Sequence, residues 1–181
     1  MLNLEKLANK QQGAVLIIAL LFLLIVTLLG ISAMQSSVME ERMAGNMHDH
    51  NMAFQAAESG LQDGGDWLLS LTGHPLPDGA ASNSVYTGGS IGAEPADLTF
   101  DWEGLGTDYG ANTSNNAGDF PHNANPPIYV IEEAAFVSDS LNPESKAKGA
   151  GKYYYRVSAV GYGGSDASEV VVQSVYEKRF K

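Results

Sequence analysis

His48-Asp49-His50 is the residue set that most invites a chemical reading, because two imidazoles flanking a carboxylate are the raw material of a metal site. Positions two apart on a helix point away from each other, so within the helix derived below the triplet reads as a solvated face. Asp97, Asp101, Glu103 and Asp108 cluster beside Gly104 and Gly106. Oxygen ligands on a Gly-rich loop suit Ca²⁺, but the spacing fits no EF-hand, and ordinary solvated loop acids are the expectation. His74 and His122 complete the histidines, and no nucleophile elbow accompanies any of the four. Cysteine is absent, which removes thiol nucleophiles, thiolate metal sites and disulfides. Trp67 and Trp102 read as core or helix–sheet contacts rather than ligand platforms. The expectation is no metal, no cofactor and no enzyme.

The 181 residues carry 10 basic against 21 acidic side chains, a net charge of −11. Between Arg42 and Lys146 there is no Lys or Arg, while Asp and Glu recur throughout. Such a surface repels phosphate backbones and anionic headgroups, which argues against a nucleic-acid partner.

The elements that must position these groups divide sharply. All prolines lie at or after Pro75 and all tyrosines at or after Tyr86, so the amino-terminal part reads as helix and the rest as strands and loops. Residues 1–13 form a polar leader carrying Lys6 and Lys10. Residues 14–34 contain no charge, and twenty such residues in a helix rise ~30 Å, the thickness of a bilayer's hydrocarbon core. A buried core helix is disfavoured because nothing later is apolar enough to surround it. A cleaved secretory signal could use Gly30 and Ser32, but the apolar stretch exceeds the usual ~7–15 residues and the helical pattern continues beyond it.

Residues 35–72 carry Met39, Met43, Met47, Phe54, Ala57, Leu61, Leu68 and Leu69 on or near one stripe at helical spacing. With no proline between the two stretches, one helix is expected from about Ala14 to about Leu71. Gly30, Gly45, Gly64 and Gly65 each weaken it by ~1 kcal/mol against Ala. Gly73 and Pro75 mark its stop. The Met39, Met43, Met47 stripe reads as a subunit-packing surface, since Met adapts to imperfect contacts. Residues 73–127 are loop-rich, with Leu98-Thr99-Phe100-Asp101-Trp102 the one expected strand. Residues 128–181 hold the expected antiparallel sheet of at least three strands: Ile128–Glu132, Tyr153–Val160 and Glu169–Tyr176. One sheet face must be covered, and the Phe54–Leu71 half of the helix is the candidate.

Gln11-Gln12-Gly13-Ala14-Val15-Leu16-Ile17 resembles a prepilin peptidase site, whose leader ends in Gly directly before the apolar block. Ser32-Ala33-Met34-Gln35, Glu40-Glu41-Arg42-Met43-Ala44-Gly45-Asn46 and Ala53-Phe54-Gln55-Ala56-Ala57-Glu58 resemble the amino-terminal region of PilX-type minor pilins. Tyr153 to Ala159 and Val170 to Tyr176 resemble that family's final hairpin. The resemblance covers Gln11 to about Leu69 and Ile128 to Phe180.

It implies an α+β pilin-like fold, with a long amino-terminal helix on a small antiparallel sheet. It also implies cleavage between Gly13 and Ala14 by a prepilin peptidase, methylation, and inner-membrane residence with the amino terminus cytoplasmic. Assembly would follow, beside other minor pilins and the major pilin, into a cell-surface pilus, with a part in adhesion or aggregation. Major pilins carry Glu at the fifth mature position, which is Ile18 here if cleavage follows Gly13. They commonly begin with Phe or Met, where this chain has Ala14. The missing Glu suits a tip or initiating subunit. A pseudopilin of type II secretion shares the amino-terminal features. A signal-anchored periplasmic binding module or enzyme is the rival from another class, although a simple anchor needs neither the amphipathic extension nor Gly13.

Overall fold

The structure, a computed structural model, describes residues 12–75, 77, 85–92, 94–97, 99–142, 144 and 149–180. The expected leader therefore lies outside the described residues except for Gln12 and Gly13. The chain divides into two compact units, one through Asn46 and one from Met47. Helix α1 (Gln12–Ser70) contributes to both. In the first unit it is the whole described structure, and every side chain from Ala14 to Asn46 is exposed.

The second unit is built on a mixed five-stranded sheet. Its strands are β1 (Val85–Thr87), β2 (Thr107–Asp108), β3 (Ile128–Ser138), β4 (Gly151–Tyr162) and β5 (Glu169–Lys178). β3, β4 and β5 run antiparallel in that order, with Tyr129 opposite Ala159 and Ala159 opposite Val172. A bulge between Glu133 and Ala135 bends β3. β1 pairs parallel with the outer edge of β3, and β2 antiparallel with another part of it. The expected three strands are present and longer than the sequence pattern indicated. The expected antiparallel sheet of at least three strands is present, and β1 adds to it one parallel pairing that the sequence pattern did not show.

The expected strand at Leu98–Trp102 is corrected. Leu98 lies outside the described residues, and Trp102 begins a short helix, α2 (Trp102–Leu105). The acids decide this locally. Asp97 Oδ1 accepts from Thr99 N at 3.2 Å, and Asp101 Oδ1 caps α2 by accepting from Gly104 N at 2.9 Å. Such side-chain-to-backbone bonds turn the chain away from extended geometry.

Each face of the sheet carries a core. On one face Tyr129, Ile131, Tyr155, Val157 and Ala159 pack with Leu68, and with Leu61, Trp67 and Leu71 partly buried against them. The facing side of α1 is made of small residues. Ala53, Ala56, Ala57, Gly60 and Gly64 are all buried, at the 3–4-residue spacing of one helical face. Phe54, expected in this contact, is 46% exposed. The physical reason is proximity of the backbones. A Cβ on Gly161 would sit 2.2 Å from both Ala53 O and Ala57 N, and one on Gly64 would sit 2.7 Å from the Tyr129 ring. Only small residues let strand and helix approach so closely, so Gly64 serves packing where the sequence reading saw only weakness.

The opposite face, unassigned by sequence, holds a second core. Phe100, Trp102, Ile91 and Tyr86 from the loop region cover Ile128, Val130, Val160 and Tyr162. Trp67 and Trp102 thus take the packing roles expected of them.

Candidate assembly interface

In the first unit, the sequence places only aliphatic, aromatic and small side chains on all sides of α1 from Ala14 to Ile31, with one Thr. Val15, Leu16, Ile17, Leu21, Leu23 and Leu28 are each more than half exposed. Apolar surface on this scale is not left in water by a folded chain, and it requires lipid or other apolar helices around it. The helix is long and apolar enough to cross a membrane, which suits a membrane anchor. Thr27 fits that setting, because its hydroxyl donates to Leu24 O at 2.8 Å and Leu23 O at 3.0 Å and leaves no group asking for water.

Gly13 lies within the first turn of α1, followed by exposed Ala14. Ile18, one turn on, is 54% exposed and offers only a hydrocarbon surface, so it cannot pair with an amino group. Further along, Ile31, Met34, Gln35, Val38, Met39 and Arg42 line one groove on the same helical face. The thioethers there can adapt to a partner's shape, and Arg42 supplies the last positive charge before Lys146.

In the second unit, polar anchors position the loops around the helix. Asp63 on α1 is 1% exposed. Its Oδ2 accepts from Gly110 N at 2.8 Å, and its Oδ1 from Asn115 Nδ2 at 2.7 Å and from the Thr113 hydroxyl. Sequence reasoning missed it. The signal was present, since Asp63 continues the 53–56–60 face on which every other residue is small.

Lys178 Nζ donates to Leu68 O at 2.6 Å and Leu69 O at 2.7 Å, tying the last strand to the end of α1. A cation there complements the helix's negative end, and partial burial holds its pKa below the usual lysine value. Glu132, buried in β3, pairs with Arg156 Nη2 at 2.8 Å, and Arg156 reaches Glu94 at 3.2 Å.

The residues first singled out for chemistry are mostly drawn into structure. Asp49 is not simply solvated. It accepts from Gly164 N at 2.5 Å and the Ser165 hydroxyl at 3.0 Å, holding the β4–β5 turn. Those bonds hold its carboxyl below the usual aspartate range. His74 Nε2 lies 2.8 Å from Glu133 Oε2 and its ring meets Tyr153 at 4.2 Å. His48 and His122 line one groove, yet among the described residues no three His, Asp or Glu side chains are grouped closely enough to hold a metal ion. Asp97 and Asp101 serve as backbone caps, while Glu103 and Asp108 rim a separate cavity.

Two family models match the chain: PilX N-terminal over residues 12–62, and type IV pilus assembly protein PilX C-term over residues 71–178. Searches of curated proteins and of solved structures returned no match. The matched segments take in both the exposed apolar helix and the sheet it carries, and a family of structural pilus proteins accounts for a helix whose apolar surface its own chain leaves uncovered. The chain belongs to the PilX family of type IV pilus assembly proteins.

Proposed function

We propose that this chain is a minor pilin that acts at the tip, or as an initiating subunit, of a type IV pilus. A prepilin peptidase cuts the precursor between Gly13 and Ala14. Residues 14–34 hold the cut protein in the inner membrane, with its amino terminus cytoplasmic, as Lys6 and Lys10 in the leader favour. On assembly, the same helix exchanges lipid for the helices of other minor pilins and the major pilin, and the acidic unit from Met47 faces outward. The role lies in assembly and not in turnover.

The single observation that carries this reading is the uncharged, wholly exposed run of α1, on a chain that belongs to a pilus-assembly family. Ile18 supports the tip position. A subunit inside the shaft needs a carboxylate there to meet a neighbour's amino terminus, while one that caps the array does not.

Deletion of the gene, with piliation counted by electron microscopy, tests the assembly role. Few surface pili, with major pilin retained in the inner membrane, are expected. Normal pilus number together with loss of a hydrolytic or ligand-binding activity would replace this reading with the anchored enzyme or binding module. Intact-mass analysis of the membrane fraction tests the processing site, and a new amino terminus after Ser32 would establish an ordinary secretory signal. Ile18→Glu tests the position: piliation should persist and the subunit should move into the shaft. Loss of pili in that variant would refute the tip assignment.

A further inference from the structure

Strand β5 closes one side of the sheet, and among the described residues no strand pairs with its outer edge. Edge strands are normally guarded by shortness, proline, a bulge or an added charge, because a free row of N–H and C=O groups recruits other strands. The other side of the sheet follows that rule. It ends in β1, three residues long, and β3 behind it carries the bulge between Glu133 and Ala135.

β5 has none of these guards. It runs for ten residues and pairs with β4 in one unbroken register. From Val170 to Tyr176 it contains neither proline nor charge, and its three consecutive valines favour extended backbone. Val175 on this strand is 63% exposed, and Gln173 beside it is exposed as well.

The charges at the two ends of β5 say what fits it. Two copies paired antiparallel about a two-fold axis normal to the sheet keep their helix-covered faces on one side, so even-numbered residues meet even-numbered ones. Two centres then pair most of the strand, Gln173 and Ser174. Centred on Gln173, Glu169 meets Glu177 at each end, and like charges directly opposite are destabilising. Centred on Ser174, Glu169 meets Arg179 at each end, Val172 meets Tyr176, and Gln173 meets the exposed Val175. No like charges then stand opposite. Arg179 gives Nη2 to Asp139 Oδ1 at 2.7 Å and keeps further donors, while no ion pair engages Glu169 among the described residues.

We infer that β5 pairs antiparallel with β5 of a second copy of this chain, about a two-fold axis at Ser174. Main-chain hydrogen bonds join the two sheets into one, the paired ends fix the register, and Val175 is covered. The inference goes beyond the assembly role, which rests on the apolar stretch of α1, and does not depend on the tip position.

The chain has no cysteine, so one introduced thiol reports one position. Full-length Ser174→Cys, at native expression in cells, is oxidised with copper phenanthroline and run on a non-reducing gel. A disulfide-linked homodimer is expected, because Ser174 lies opposite its own copy. Gln173→Cys and Val175→Cys should give none, since a two-residue offset puts their Cα atoms beyond about 7 Å. In the Ser174→Cys background, Glu169→Arg should lower the dimer yield by about fivefold or more, because two exposed pairs are lost together. Glu169→Arg/Arg179→Glu should restore it, which repair of a merely structural contact with Asp139 would not do. Val175→Lys places a charge at an exposed edge position and should remove the dimer with Tm unchanged. Sedimentation of the cysteine-free chain in detergent should show the same loss.

No homodimer from Ser174→Cys, with that thiol labelled by a maleimide dye in the same cells, would overturn the inference. A dimer insensitive to Glu169→Arg and Val175→Lys, or one formed through Gln173→Cys instead, would do the same. p-Benzoylphenylalanine at position 175 that crosslinks to a different protein and not to a second copy would assign the edge to an extended segment of that protein and end the two-fold pairing. Each of these failures leaves the assembly role standing.

Discussion

Gly161→Ala isolates the closeness of strand β4 to helix α1. The added methyl would lie 2.2 Å from Ala53 O, 2.2 Å from Ala57 N and 2.8 Å from Ala57 Cα. All three are main-chain atoms, so no side chain can swing aside. Ordinary contacts lie near ~3.5–4.0 Å, so helix and strand must separate by about 1 Å or more. Separation loosens the packing of Ala53, Ala56 and Ala57 against the sheet. Overpacking costs ~1–3 kcal/mol where side chains relax, and a rigid backbone on both sides puts this site at about 3 kcal/mol or above.

For a unit of this size that is a fall in Tm of roughly 6–12 °C. Thermal unfolding followed by circular dichroism, on a fragment beginning near Gln35, reads the effect. Gly45→Ala is the companion, since nothing lies within 4 Å of its added methyl. There the helix gains ~1 kcal/mol of propensity and Tm should hold or rise. A Tm for Gly161→Ala within ~2 °C of the parent, too little for even 1 kcal/mol, would refute the close helix–strand contact.

Asp63→Ala removes the acceptor for Gly110 N, Thr113 and Asn115 and should cost roughly 2–4 kcal/mol, since water can re-solvate some of those donors. Hydrogen exchange at Gly110 should accelerate while the β3–β4 amides stay protected, and unchanged exchange would show the loop is held otherwise. Asp49 has a native pKa below its unfolded value, so its ionised form contributes stability above the unfolded pKa that is lost as pH falls through the native one. The Gly164 amide should therefore lose protection below about pH 4, and Asp49→Asn should abolish that pH dependence. Leu23→Arg places a charge at lipid depth at ~2.5–3.5 kcal/mol on insertion scales. Piliation should fall even where membrane fractionation finds the protein at parental level, and normal piliation would argue against helix packing at that depth.

The long apolar helix, its approximate end and the three long strands were legible in the sequence because each depends on local periodicity. Apolar residues without charge over 14–34 demand helix in lipid, and the aromatic and β-branched run of Tyr153, Tyr154, Tyr155, Val157 and Val160 favours a strand, whatever surrounds them. The family resemblance was legible for the same reason, since the segments that carry it lie in the helix and the final hairpin.

What the sequence could not show were pairings between residues far apart in the chain. Val85–Thr87 became a parallel strand only because β3 offered an edge, whereas Trp102 left the expected strand through a local bond, from Gly104 N to Asp101, that the strand pattern overlooks. Periodicity put Phe54 on the buried stripe, yet the contact that formed uses Ala53, Ala57 and Gly161, because backbones that approach this closely exclude a ring. Asp49 reads from the sequence as part of a solvated face, and Asp63 and Lys178 attract no reading there; the fold brings Gly164, Gly110 and the carbonyls of Leu68 and Leu69 within hydrogen-bonding distance of them. A hydrogen bond depends on distances of about 3 Å in space, and separation along the chain carries no record of them.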